Sequence, residues 1–150
     1  MKTLFFLLIF TISAFATEYK VIYNLQTGSE KKFRGAILEG IPKLKEHYES
    51  QGDTLDVVVI ISNKSYKFFI KDLENSSDIN MDGVKELQHR VAIKIQKLSL
   101  ESVRFEICSV GMTKHAITEG ILYGYVHPVF NRTASLIEWQ GKGYSLIDVL

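Results

Sequence analysis

Apolar and polar positions along this chain follow two periods, one of two residues and one close to 3.6. Tyr19 to Leu25 is rich in β-branched and aromatic residues and ends at the turn signal Gln26-Thr27-Gly28, which predicts a first strand. Thr27 and Glu30 then have capping-box spacing, and Phe33, Ile37, Ile41, Leu44 and Tyr48 recur at helical intervals up to Gln51-Gly52-Asp53. The spacing predicts a long amphipathic helix. Pro42 is expected to kink or split it near Gly40, because proline removes one ladder hydrogen bond and crowds the preceding turn. Leu55 to Ile61 is an almost unbroken apolar run, the mark of a strand buried on both faces.

A polar turn follows at Ser62-Asn63-Lys64-Ser65, then a short helix is expected over Tyr66 to Ile70 and a polar loop over Leu73 to Asn80. From Asp82, the positions Val84, Leu87, Val91, Ile95 and Leu98 mark one face of a second long helix, with Lys85, Glu86, Arg90, Lys94 and Lys97 forming a solvated face. Val103 to Cys108 alternates as a third strand, after which Thr113 is expected to cap a short helix running through Ile117 toward Gly120. Tyr125 to Phe130 predicts a fourth strand, and Pro128 within it argues for a sheet edge or a strand start. Asn131 caps a helix over Arg132 to Gln140, Gly141 closes it, and Tyr144 to Leu150 forms the last strand. No two strands are joined by a hairpin-length turn. The expected fold class is therefore α/β, a three-layer α/β/α domain with a five-stranded, mainly parallel sheet.

The first residues stand apart from this pattern. Lys2, the apolar run from Leu4 through Ile12 and the triplet Ala14-Phe15-Ala16 have the layout of a secretory signal peptide over residues 1–16, leaving 17–150 as a single domain. The apolar run is shorter than the roughly 20 residues needed to span a bilayer, so no stable membrane anchor is expected after cleavage. The expected destination is export, to the periplasm if the source is a Gram-negative bacterium. Loss of Lys2 leaves 17 basic against 17 acidic residues, and a neutral chain has no electrostatic footprint for nucleic acid.

Candidate chemistry centres on Cys108, the one cysteine in the chain. It excludes an intrachain disulfide and ends a strand on the parity that carries Arg104 and Glu106, whereas an inert thiol would more naturally share the apolar parity of Val103, Phe105 and Ile107. In open parallel sheets functional groups gather beyond the carboxyl ends of the strands, where Cys108 lies. The turn Ser109-Val110-Gly111 and the helix start near Thr113 supply backbone N–H groups that could hold negative charge and lower a thiol pKa. Lys114 and His115 could add positive charge or a proton relay, although a plain surface role is the simpler reading of each.

Other chemistry finds less support. Asp78-Ile79-Asn80-Met81-Asp82-Gly83 matches the first half of a calcium loop, but the twelfth position is His89 where a bidentate glutamate is required, and Asn80 or Asp82 is more simply a helix cap. His47, His89, His115 and His127 lack close metal-ligand spacing, so neither metal nor cofactor is expected. No phosphate loop, dinucleotide fingerprint or nucleophile elbow is present. Most aromatic residues are core candidates, with Tyr123 and Tyr125 as an exposed pair suited to a subunit contact.

The order of elements, the Cys108 turn after the third strand, and the ending Leu136-Ile137-Glu138-Trp139-Gln140-Gly141-Lys142-Gly143-Tyr144 together resemble the DsrE/DsrF-like family. The likeness extends over essentially all of the chain after residue 16. It implies an α/β/α fold with a five-stranded parallel sheet, homo- or hetero-oligomerisation, and, as in the sulfur-relay members, a cysteine that carries sulfane sulfur as a persulfide between donor and acceptor proteins. Cys108 is the matching position. The chain departs from the family in lacking a glycine in the Ser62 to Ser65 turn and in carrying an export signal. The resemblance thus points to a sulfur carrier or thiol-dependent sulfurtransferase; the alternative is a non-catalytic oligomeric binding module that retains the fold.

Overall fold

The computed structural model describes residues 16–71 and 84–150. The signal-peptide segment, the expected Leu73 to Asn80 loop and the half calcium loop at Asp78 to Gly83 lie outside them, Ala16 excepted. Five strands, β1 (Glu18–Leu25), β2 (Thr54–Ile61), β3 (Arg104–Cys108), β4 (Val126–Val129) and β5 (Ser145–Val149), form one sheet in the order β4-β3-β2-β1-β5. Every pairing between them is parallel. The fold is a three-layer α/β fold. Among the described residues no helix is long and apolar enough to cross a membrane.

The apolar run of β2 reflects its place at the centre, with β1 and β3 as neighbours and both faces covered. Alternate residues divide between two cores. Val21, Tyr23, Leu25, Val57, Val59, Ile61, Phe105 and Ile107 pack with the helices α1 (Glu30–Phe33), α2 (Ile41–Glu49) and α3 (Val84–Leu100) on one face. Ile22, Val58 and Ile60 turn to the other face, where Leu136 and Trp139 of α5 (Arg132–Gly141) and Tyr144 cover them. Helix α5 is alone on that side among the described helices, and the edge strand β5 keeps Leu146 and Ile147 partly exposed.

The first helical run differs locally from its expected form. Ser29, not Thr27, is the N-cap and accepts from the Lys32 N–H, while the buried Thr27 hydroxyl accepts from the Ser29 N–H at 3.1 Å. Pro42 does not split the run. A π-helical stretch, Arg34–Gly40, joins α1 to α2 and widens the turn ahead of the proline, relieving the clash that its ring would make with a carbonyl one turn back. Gly40 permits this widening, since a Cβ there would lie 2.8 Å from the Gly35 carbonyl oxygen.

Beyond β2, a 3₁₀ turn over Asn63–Phe68 takes the place of the short helix expected at Tyr66 to Ile70. Val126–Val129 is an edge strand, consistent with Pro128, which has no N–H to donate to a further neighbour. Asn131 caps α5 as expected, its side chain accepting from the Ala134 N–H at 2.7 Å. Gly141 is the last helical residue rather than the stop; the left-handed position falls at Gly143, with φ of 87°.

Candidate functional site

The carboxyl ends of β1, β2, β3 and β5 meet at one rim of the sheet, and two neighbouring cavities open there. The smaller, of about 280 Å³, is lined by Cys108, Val110, Gly111, Lys114 and His115 together with Ser62, Asn63 and Tyr66 and the first residues of α5, Asn131 to Thr133. The larger, of about 920 Å³, lies over the Gln26 to Ser29 loop and shares Asn63, Tyr66 and His115 with the smaller one.

Helix α4 (Ser109–Lys114) starts immediately after Cys108, which is itself the N-cap residue, and no separate turn intervenes. This corrects two expectations. Thr113 does not begin the helix but sits in its last turn, donating its hydroxyl to the Ser109 carbonyl at 3.1 Å, and Lys114 and His115 lie at the helix's end rather than early in it. The chain gains its helical bonds at once because Ser109 to Met112 carries no proline or β-branched run that would delay them, Val110 excepted. Ser109 does not line the smaller cavity; Val110, Gly111, Lys114 and His115 do.

Tyr66 ties this region together. Its hydroxyl donates to the Cys108 carbonyl at 3.1 Å, and its ring packs at 5.5 Å from His115. Burial pushes its pKa well above the ordinary phenol value, and the neighbouring Cys108 adds to the rise. Gly111 is required by this packing: a Cβ at that position would lie 1.7 Å from the Tyr66 hydroxyl oxygen. Opposite, Gln26 Oε1 accepts from Arg132 and, at 2.7 Å, from Asn63 Nδ2, joining the ends of β1, β2 and β4 across the rim. Asn63 holds this geometry in the left-handed region, with φ of 56°. The Ser62 hydroxyl is buried, faces the Ser65 amide and makes no hydrogen bond of good geometry.

The parity argument for Cys108 needs correction as well. Cys108 is 8% exposed and Glu106, two residues before it, is 3% exposed. Apart from Arg104, which is about half exposed, the charge-bearing parity of β3 thus faces α5 rather than solvent. Glu106 is satisfied there by Arg104 Nε at 2.6 Å, by Trp139 Nε1 at 3.0 Å and by the Ser135 hydroxyl. Burial alone would raise its pKa, but these three donors outweigh that effect and hold the carboxyl below its ordinary range. Tyr123 and Tyr125 are not a free exposed pair either. Their rings stack at 5.4 Å and pack half-buried against the larger core.

Among the described residues no three His, Cys, Asp or Glu side chains gather as a metal site. Residues missed from the sequence are Gln26, Asn63, Tyr66 and Arg132. Gln26 and Asn63 follow the ends of β1 and β2 within two residues and Tyr66 lies in the 3₁₀ turn that starts at Asn63, so the rule that sites collect at carboxyl ends of parallel strands would have marked these segments.

No family model matches this chain, and no curated protein sequence matches it. Among solved structures it is similar to a protein of unknown function from Methanobacterium thermoautotrophicum, at 15% identity and a TM-score of 0.68, over 87% of this chain and 98% of that one. The likeness shows the fold.

Proposed function

We propose that this is an exported DsrE-like protein that carries sulfane sulfur as a persulfide on Cys108, as a carrier or thiol-dependent sulfurtransferase. The observation behind the proposal is that the chain's one thiol lines a cavity at the carboxyl end of a parallel strand, with Lys114, His115 and Arg132 in the same wall. The thiolate is the reactive form of a cysteine, and Lys114 and Arg132 in the same wall could receive the anionic sulfur of a donor. In the first step the Cys108 thiolate attacks the outer sulfur of a donor persulfide; the donor S–S bond breaks, its inner sulfur leaves as a thiolate, and a new Sγ–S bond holds the transferred sulfur. An acceptor thiolate then attacks that outer sulfur and releases the Cys108 thiolate. No external oxidant or reductant is consumed. Donor and acceptor proteins, and a homo- or hetero-oligomer, belong to the same proposal.

The test is intact mass after incubation with an inorganic polysulfide. The wild type is expected to gain sulfur that a reductant removes, and Cys108→Ser, checked for folding by circular dichroism, is expected to gain none. Equal addition to both chains, or none to the wild type, would sink the carrier reading. The low exposure of Cys108 favours a second reading, a non-catalytic oligomeric binding module. On that reading the buried thiol alkylates slowly and gains no sulfur from polysulfide.

A further inference from the structure

We infer that the larger cleft is a binding site for a small organic polyanion, a molecule carrying two or more phosphate or carboxylate groups. Its position supports this assignment. Successive strands step outward from β1 to β4, and the last crossover returns past them to place β5 on the other side of β1. The cleft lies at the carboxyl end of β1, where that order reverses and open parallel sheets bind their ligands. Its volume of about 920 Å³ is that of a site for an organic molecule rather than a single inorganic ion.

The charge of the lining selects the class. Lys32, Lys64 and Lys67 are in the wall, together with Leu150, which bonds Lys32, and no aspartate or glutamate is. The full chain has 18 basic and 17 acidic residues, so this separation is local and does not reflect a basic protein. Among the described residues Lys64 and Lys67 pair with no carboxylate. Two of the three lysines are held from their stems or tips. A Cβ on Gly28 would come within 2.9 Å of Lys64 Cβ, so the missing side chain lets the Lys64 stem lie against the β1 loop. Lys32 Nζ donates to the Leu150 main-chain oxygen at 2.7 Å, so this lysine is already partnered, and Lys64 and Lys67 carry the charge offered to a ligand. Lys67 Nζ stands 5.2 Å from the Phe68 ring centroid. The cleft is an open one, formed by the segments that follow β1 and β2 with His115 and Leu150 at its margin, a local concavity that gives a nucleic-acid backbone no continuous track.

Calorimetric titration of the full chain with inorganic pyrophosphate, and separately with citrate, tests the assignment. Saturable binding to a single class of site is expected for at least one of them; pyrophosphate alone would mark a phosphorylated ligand, citrate alone an organic acid. Lys64→Gln/Lys67→Gln, checked by thermal melting, is expected to bind roughly tenfold or more weakly, while Lys97→Gln, remote on α3, binds as the wild type does. Cys108→Ser is expected to bind unchanged, which separates this site from any thiol chemistry. Absence of saturable binding to both anions, undiminished binding by the double variant, or loss in Cys108→Ser overturns the inference.

Discussion

Glu106→Ala is expected to destabilise the fold by about 2–4 kcal/mol, as a buried carboxylate with three donors is removed and its partners lose their acceptor. Ser135 is itself buried, and its hydroxyl and the Trp139 N–H both give their hydrogen bonds to Glu106. Arg104 is about half exposed, so it recovers solvation and adds little to the loss. Helix α5 is the one described helix on its face, and these bonds attach it to β3. The effect should therefore include easier opening of α5, read as faster amide exchange over 132–141 than over β2. Glu106→Gln keeps an acceptor and is expected to cost less than the alanine variant. The pH dependence follows from the depressed pKa. A carboxyl whose folded value lies below its unfolded one contributes stability that is complete above the unfolded value, near 4.5, and is lost as pH falls through the folded value. Urea midpoints of the wild type should drop through that acid window, and those of Glu106→Gln should drop less. Parallel curves for the two would show that Glu106 contributes no such linkage.

Gly111→Ala is the second substitution with a large expected effect, about 2–3 kcal/mol, although it adds a single methyl group. The added carbon would fall 1.7 Å from the Tyr66 oxygen and 2.7 Å from its Cζ, so the ring must move or α4 must shift. Either movement breaks the bond from Tyr66 to the Cys108 carbonyl. Tyr66→Phe alone loses that one bond, about 1 kcal/mol. The double variant no longer has the closest clash, so its loss should be smaller than the sum of the single losses by about 1 kcal/mol. Strict additivity in chemical denaturation would contradict the packing described for Gly111. The same shift should change the alkylation rate of Cys108, which shares the cavity wall with Tyr66.

The differences between sequence and structure have identifiable physical origins. The alternation of β3 correctly separated Phe105 and Ile107 from Glu106 and Cys108, but it could not say that both sets are buried. Glu106 is tolerated inside because Ser135 and Trp139, 29 and 33 residues later, meet it with donors, and local pattern carries no information at that separation. Pro42 was legible as a disturbance. Its accommodation by a π stretch depended on Gly40, whose missing side chain lets the Gly35 carbonyl approach. Cys108 was placed correctly at the end of β3, while the start of α4 was set several residues too late because Thr113 carries a cap-like side chain whose hydroxyl in fact bonds backward to Ser109.

By itself, the amino-acid order determined five strands separated by helical segments, hence the three-layer α/β class, because periodicity and turn chemistry are local properties of the chain. It also determined that one thiol stands at a strand's carboxyl end. Tertiary structure alone decided the strand order and with it the rim on which Gln26, Asn63, Tyr66, His115 and Arg132 come together. It decided, too, that Cys108 is 8% exposed between α4 and α5. Those outcomes depend on which faces of distant segments pack together, and burial and cavity walls are properties of that packing rather than of any stretch of sequence.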